Sequence, residues 1–204
     1  MKITFDNING NYEIFLDCLN SIIGSNRDSF IDLGCNKATC TGTLTDFKTR
    51  RYIDILPREL DFINEQQYFE QGNILDIPTE FVYGVKPIQK YSVSFNLDCI
   101  EHLKFDDGLK VLDIMDKISH KQIVFTPDKE WMFTGDEDKD PEAHRSLWTP
   151  DIMESLFPNK YAFLHFPNYH PSLLIGAFFA WHCENIEQDF ERVTNELKQY
   201  TWAL

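Results

Sequence analysis

Asp98, Glu101 and His102 stand close together in the sequence, and their side chains can exchange protons or hold polar ligands. Asp98 ends an apolar run, and Glu101 and His102 fall where the next helix is expected to begin. Since residues three apart lie on one face of a helix, Asp98 and Glu101 can point the same way. His144 lies on a segment expected to cross the same opening. These four are the candidate catalytic residues, with His102 or His144 suited to act as a general base or substrate contact.

A turn and an acid earlier in the chain indicate which kind of ligand would bind next to these residues. Residues 30–38 predict a buried strand that ends in a tight turn and opens a helix, with Gly34 where the backbone must turn sharply or approach a ligand. Asp54 follows twenty positions later, at the end of a second apolar run. An acid at that distance is where doubly wound folds bind a ribose by its hydroxyls. The pairing predicts a nucleoside cofactor.

Strands and helices alternate along the chain that must position these residues. Apolar runs predict strands near 30–34, 52–55, 67–71, 92–97 and 122–126, and a closing pair at 161–166 and 173–181. Helical periodicity, or a cap, predicts helices near 11–23, 107–119, 151–156 and 185–200. This alternation favours an open, mostly parallel sheet, and 204 residues suit one domain spanning 1–204.

Five segments in a fixed order resemble the motifs of class I S-adenosylmethionine-dependent methyltransferases. They are Asp32-Leu33-Gly34-Cys35, the acid Asp54, the run from Gln71 to Asp76, the run from Asn96 to Leu103 with its Glu-His-Leu, and Val124-Phe125-Thr126-Pro127. The resemblance implies an α/β, Rossmann-like, mostly parallel seven-stranded sheet with helices on both faces and the last strand antiparallel.

The same resemblance implies which residues bind S-adenosyl-L-methionine: Asp32, Gly34, Cys35, Asn36, Asp54, Ile55, Asn73, Ile74 and Leu97. Asp54 would accept both ribose hydroxyls, and Asn73 and Ile74 would border the adenine. The chain departs from the family pattern at Asn36 and Ala38, where glycines are usual, and at Asn73, where an acid is usual. Asparagine tolerates positive φ better than most residues, so Asn36 can make the turn.

A metal ion is a further implication of resemblance. Asp98, Glu101 and His102, with His144 four positions before Trp148, resemble the metal site of small-RNA 2′-O-methyltransferases and of ubiquinone-pathway O-methyltransferases. Two carboxylates and two imidazoles would suit Mg²⁺, Mn²⁺ or Fe²⁺, and such an ion lowers the pKa of a bound hydroxyl. Glu-His-Leu also occurs in family members without a metal, where the pair caps a helix or packs under the cofactor.

Composition narrows the partners and the compartment. A formal net charge of −14 disfavours broad contact with phosphate backbones, so a nucleic-acid partner is not expected and a small-molecule acceptor is favoured. No run approaches the roughly 20 apolar residues of a membrane helix, and no signal peptide is evident. The five cysteines lack CxxC spacing, which predicts reduced thiols and a cytoplasmic protein.

Two other features carry no chemical pattern. The remaining histidines are expected to be structural or surface residues: His120, His165, His170 and His182. The acidic segment 134–141 predicts either a solvated loop or a lid over the substrate.

The sequence therefore predicts a methyltransferase acting on an oxygen or nitrogen of a small molecule. The alternatives are a catalytically silent relative that keeps the fold as a binding or assembly protein, and a metal-dependent RNA 2′-O-methyltransferase.

Overall fold

A computed structural model of the protein describes residues 1–5, 11–57, 67–79, 90–129, 140, 143–170 and 175–200. Its centre is an eight-stranded sheet with the order β1-β7-β8-β6-β5-β2-β3-β4. The strands are β1 Lys2–Thr4, β2 Ser29–Leu33, β3 Thr49–Asp54, β4 Gln67–Gln71, β5 Tyr91–Leu97, β6 Ser119–Pro127, β7 Ala162–His170 and β8 Ile175–Cys183. The α-helices are α1 Tyr12–Ile23, α2 Phe105–Ile118, α3 Pro150–Leu156 and α4 Ile186–Glu196.

All strand pairs are parallel except those made by β8, which runs antiparallel between β6 and β7. The predicted Rossmann-like α/β fold with an antiparallel last strand is therefore confirmed. The strand count differs by one, because β1 pairs with β7 at the sheet edge. Three residues of alternating exposure are too short a run to predict a strand.

Helix ends follow the capping residues in the sequence. The Asn11 side chain accepts hydrogen bonds from the N–H groups of Glu13 and Ile14 at the start of α1. The Thr149 hydroxyl accepts one from the Ile152 N–H, ahead of Pro150 in the first turn of α3. Both caps satisfy N–H groups that have no partner within the helix.

The sheet separates two apolar cores. Phe30, Phe95 and Phe179 are buried on one face, and Trp148 and Met115 are buried on the other. Helices cover both faces, so the central strands are apolar on both sides.

The parallel strands β2, β3, β5 and β6 end at one edge of the sheet, called the carboxyl edge below, and begin at the opposite one, the amino edge. Strand order reverses at β2, between β3 and β5, which is where doubly wound sheets bind ligands.

The structure also bears on the predictions about the cysteines and about membrane-spanning helices. All five cysteines are free thiols. No helix among the described residues is long and apolar enough to cross a membrane. The lid or loop predicted at 134–141 lies outside the described residues, apart from Asp140.

Candidate active site

The turn after β2 joins three strand ends at the carboxyl edge. Gly34 has a φ of 78°, which glycine adopts without strain. A Cβ at this position would lie 2.1 Å from the Cys99 Sγ, so a larger residue would displace the segment after β5. The N–H groups of Gly34 and Cys35 both donate to the Ile53 carbonyl, at 2.8 and 3.1 Å. Both the backbone conformation and the available space therefore require glycine here.

Three non-glycine residues near this turn have left-handed backbones. Asn36, Ala38 and Asp98 have φ values of 45°, 50° and 56°. Asn36 makes the turn as the sequence predicts. Within the described residues, the one other non-glycine residue with positive φ is Asn159. Such conformations cost about 1–3 kcal/mol each and concentrate at ligand sites.

Asp54 is fixed at the end of β3 by two backbone donors. Its Oδ2 accepts the Asn36 N–H at 2.8 Å, and its Oδ1 accepts the Leu56 N–H at 2.9 Å. A carboxylate has about four lone-pair sites, so each oxygen can accept a further hydrogen bond. The buried acid is thus held rigidly and can still bind a pair of hydroxyls.

Two neighbouring cavities open at the carboxyl edge. The first, of about 250 Å³, is lined by Gly34, Asn36, Asp54, Ile55, Leu56, Asn73, Ile74, Asp98, Cys99, His102, Leu103 and Arg145. The second, of about 180 Å³, is lined by Asp32, Cys35, Asn36, Lys37, Ala38, Thr39, Cys40, Thr41, Leu97 and Asp98. They share Asn36 and Asp98. Every residue that the sequence predicts to contact the cofactor lines one cavity or the other.

Asn73 caps the short 3-10 helix Ile74–Asp76. Its Oδ1 accepts the Leu75 N–H at 3.0 Å. An amide oxygen has a second lone pair, so the cap leaves room for a ligand contact. Ile74 is buried beside it and supplies an apolar wall.

Asp32 lies beneath the second cavity. It is 3% exposed, and the Thr41 hydroxyl donates to its Oδ2 at 2.5 Å. Burial raises the pKa of Asp32 to about 7, although the Thr41 hydrogen bond acts in the opposite direction. A cation placed in the second cavity would favour the ionised carboxylate.

Glu101 is fully buried and is not among the residues that line the two cavities. Its Oε2 accepts a hydrogen bond from the Thr126 hydroxyl at 2.9 Å, whereas Oε1 has no hydrogen-bond partner. Burial, and then the nearby Asp98 carboxylate, raise the pKa of Glu101 well above its ordinary value. A cation close to Glu101 would favour its ionised form.

The local backbone at Glu101 differs from the prediction. Glu101 and His102 lie in a separate 3-10 helix, Ile100–His102, and α2 begins only at Phe105. Asp98 has a left-handed backbone, so it does not share a helical face with Glu101.

His102 and His144 pack edge to face, with ring centroids 4.9 Å apart and an interplanar angle of 86°. The Nδ1 of His102 lies 3.3 Å from the Ala143 carbonyl, an arrangement that suits a proton on Nδ1. Burial, and then the His102 ring, lower the pKa of His144, and Asp98 acts in the opposite direction. His144 is thus a neutral imidazole at neutral pH.

Glu101, His102 and His144 each offer one ligand atom, and these atoms lie within 4.8 Å of one another. This group, found among the described residues, does not include Asp98. The donor set fits a divalent ion, since it has an unpartnered carboxylate oxygen and an imidazole whose second nitrogen faces a carbonyl.

Two residues of the site, Arg145 and Thr126, were not predicted from the sequence. The Arg145 N–H donates to the Glu101 carbonyl at 2.7 Å, and its guanidinium donates to the carbonyls of His102 and Ala143. Arg145 thereby fastens the segment that carries His144. Thr126 is a polar residue in the apolar run of β6, and that contrast alone could have indicated it.

Comparisons with known proteins identify the fold of the chain but no related sequence. No protein-family model matches the chain, and no curated protein matches its sequence. Among solved structures, the methyltransferase domain of a bacterial CtHen1 is 17% identical, with a TM-score of 0.56, over 86% of this chain and 98% of that one. The small RNA methyltransferase HEN1 is 16% identical, with a TM-score of 0.61, over 91% of this chain and 26% of that one.

A third similar structure is the N-methyltransferase NodS from Bradyrhizobium japonicum WM9 in complex with S-adenosyl-L-homocysteine. It is 11% identical with a TM-score of 0.60, over 87% of this chain and 88% of that one. The chain therefore has the class I methyltransferase fold.

Proposed function

We propose that this protein transfers the methyl group of S-adenosylmethionine to an oxygen or nitrogen of a small molecule. The observation that carries the proposal is the recess formed by the two neighbouring cavities. It has a fixed carboxylate, Asp54, in one cavity and a buried acid, Asp32, under the other. A nucleoside joined to an amino acid has the polar groups to meet both.

The chain's own residues would hold the cofactor in three ways. Asp54 accepts the ribose hydroxyls while its two backbone donors keep it in place. Asn73 and Ile74 border the base in the first cavity, and Asp32 faces the methionine ammonium from below the second. S-adenosylmethionine, when bound, supplies an electrophilic methyl group.

Asp98, which borders both cavities, marks the point between the two ends of such a ligand. An acceptor placed there meets His102, which lines the first cavity, while His144 packs against the His102 ring. Transfer to an oxygen or nitrogen needs an aligned nucleophile and removal of one proton. His102, which lines the first cavity, or His144, whose ring packs against it, would take that proton.

A metal-dependent RNA 2′-O-methyltransferase is the second candidate. It is favoured by the ligand geometry of Glu101, His102 and His144 and by the structural similarity to a small RNA methyltransferase. A bound divalent ion would favour the ionised form of Glu101 and would lower the pKa of an acceptor hydroxyl. The net charge of −14 disfavours an RNA acceptor. A metal site would equally suit a small molecule that carries a hydroxyl group.

Calorimetric titration with S-adenosylmethionine and S-adenosylhomocysteine tests the proposed cofactor. We expect saturable binding of both at one site per chain, and no binding would leave the silent-relative alternative. Titration with Mn²⁺ tests the metal: binding by the parent that is lost in His144→Ala supports the metal-dependent version. An unchanged Mn²⁺ titration in His144→Ala would contradict it and leave the general-base version.

A further inference from the structure

A histidine–aspartate pair outside the predicted site lies at the carboxyl edge. The Nε2 of His165 on β7 is 2.6 Å from the Oδ2 of Asp128, the residue that follows β6. Both side chains are largely buried, at 15% and 12% exposure. The Oδ1 of Asp128 is buried and has no hydrogen-bond partner. A buried carboxylate oxygen that accepts no hydrogen bond lowers the stability of the fold, so its presence calls for an explanation.

Gly176 on β8 leaves the space that this carboxylate occupies. A Cβ on Gly176 would lie 2.4 Å from the Asp128 Oδ2, so any other residue would displace the acid. The Asp128 N–H donates to the Gly176 carbonyl at 3.1 Å, which fixes the backbone on both sides. The site is therefore built into the sheet by three separate segments.

The pair lies on the same face of the sheet as the proposed acceptor site. Side chains two residues apart on a strand share a face, so Asp128 follows Thr126 on one face as β6 ends. Thr126 is the residue that donates to Glu101. Thr126 thus contacts Glu101 of the cluster, and Asp128 lies two residues beyond Thr126.

A second histidine–aspartate pair, at the amino edge, differs in how its carboxylate oxygens are partnered. The Nε2 of His182 is 3.6 Å from the Asp116 Oδ1. Both carboxylate oxygens of Asp116 have other partners, Gln122 at 3.1 Å and Lys160 at 3.3 Å. His182 also places its Nδ1 2.8 Å from the Lys160 carbonyl. No carboxylate oxygen is left over in this pair.

We propose that Asp128 binds the methyl acceptor: its Oδ1 accepts a hydrogen bond from an N–H or O–H group other than the atom that is methylated. His165 is a positioning residue that holds the carboxylate through Oδ2. The substrate class is then a small molecule with at least two donor groups, such as an amino alcohol or a polyol. This inference rests on the proposed methyltransferase function.

Nuclear magnetic resonance of the ¹⁵N-labelled histidine side chains tests the proposal without knowledge of the natural acceptor. The protein, with and without S-adenosylhomocysteine, is titrated at fixed ionic strength with ethanolamine, which carries both kinds of donor. 1,2-Dimethoxyethane, which has no donor, is the control. We expect a saturable shift of the His165 signals with ethanolamine alone, and no matching shift of the His182 signals.

Two matched variants locate the response. Asp128→Asn should weaken the ethanolamine response at least about tenfold, and Asp116→Asn should leave it unchanged. An absent His165 response in the parent, or an equal response in Asp128→Asn, would overturn the proposal. The parent titration decides alone if Asp128→Asn does not fold. Calorimetry with S-adenosylhomocysteine on the same samples separates the two ideas, because its failure contradicts the methyltransferase function whatever the histidine signals do.

Discussion

At the amino edge of the sheet, Lys121 donates to the Ile22 carbonyl at 2.7 Å and to Asp189 at 2.9 Å, and Asp189 also accepts the Trp181 indole N–H. At the carboxyl edge, Glu101 and Asp128 each bury a carboxylate oxygen without a partner. The strained backbones of the turn region also lie at the carboxyl edge. The charged groups around Lys121 have partners, whereas Glu101 and Asp128 at the carboxyl edge keep carboxylate oxygens that a ligand could satisfy. We infer from this contrast that the ligand site lies at the carboxyl edge.

The largest expected effect is a difference in stability loss between alanine variants of two glycines with positive φ, Gly34 at the carboxyl edge and Gly24 at the amino edge. Gly34→Ala should lower the free energy of unfolding by about 2–5 kcal/mol, since the left-handed backbone and the contact with Cys99 both oppose a Cβ. Gly24→Ala should cost about 1–2 kcal/mol, because its Cβ would meet only the flexible end of Arg192, at 3.3 Å. Urea unfolding measures both, and equal losses would contradict the difference.

Two acids, the buried Asp32 at the carboxyl edge and the partly buried Asp189 at the amino edge, should give opposite pH dependences. The pKa of Asp32 is raised to about 7 in the folded protein by burial, so the unfolded chain releases this proton first. The stability that protonated Asp32 contributes is full below about pH 4 and is lost as the pH rises to about 7. Relative to Asp32→Asn, the parent should lose up to about 4 kcal/mol of unfolding free energy over that range.

Asp189 is the counterpart at the amino edge. Burial acts to raise its pKa, but hydrogen bonds from Lys121 and Arg192 outweigh burial and lower it. Its stabilisation is present above the unfolded pKa and is lost only as the pH falls below it. The difference between the parent and Asp189→Asn should therefore stay level from pH 5 to 7 and shrink below pH 4. Urea unfolding across this range checks both acids, and parallel pH profiles would refute the assignment.

The smallest effect concerns the base end of the recess. Asn73→Asp should tighten S-adenosylhomocysteine binding by about 0.5–1.5 kcal/mol, since a carboxylate accepts a stronger hydrogen bond from an exocyclic amine. The cap on the Leu75 N–H would be kept. Calorimetry gives the affinity, and a clear weakening in a folded variant would show that Asn73 does not border the adenine.

The sequence predicted most of the fold because its strands are continuous apolar runs that end in polar residues. The residues predicted to bind the cofactor follow strand ends. Because parallel strands end at one edge of the sheet, residues that are distant in the sequence come together there. The short strand β1 and the separate turn at Glu101 escaped prediction because three residues leave no period to detect.

The remaining site residues depend on contacts between distant segments. Arg145 acts by fastening its segment to residues 100–102, and His165 meets Asp128 only because β8 inserts between β6 and β7. Such pairings follow from tertiary packing, and His165 looks like an ordinary strand histidine in the sequence.

The most direct test of the account is calorimetric titration of S-adenosylhomocysteine into the parent, Asp54→Ala and Asp116→Ala. Asp54→Ala should lose about 1.5–3 kcal/mol of binding free energy, which is the range for hydrogen bonds to a charged group. Asp116→Ala should bind S-adenosylhomocysteine as tightly as the parent. Thermal unfolding confirms that each variant is folded. Equal affinity in a folded Asp54→Ala protein would contradict the claim that the carboxyl edge binds the cofactor ribose.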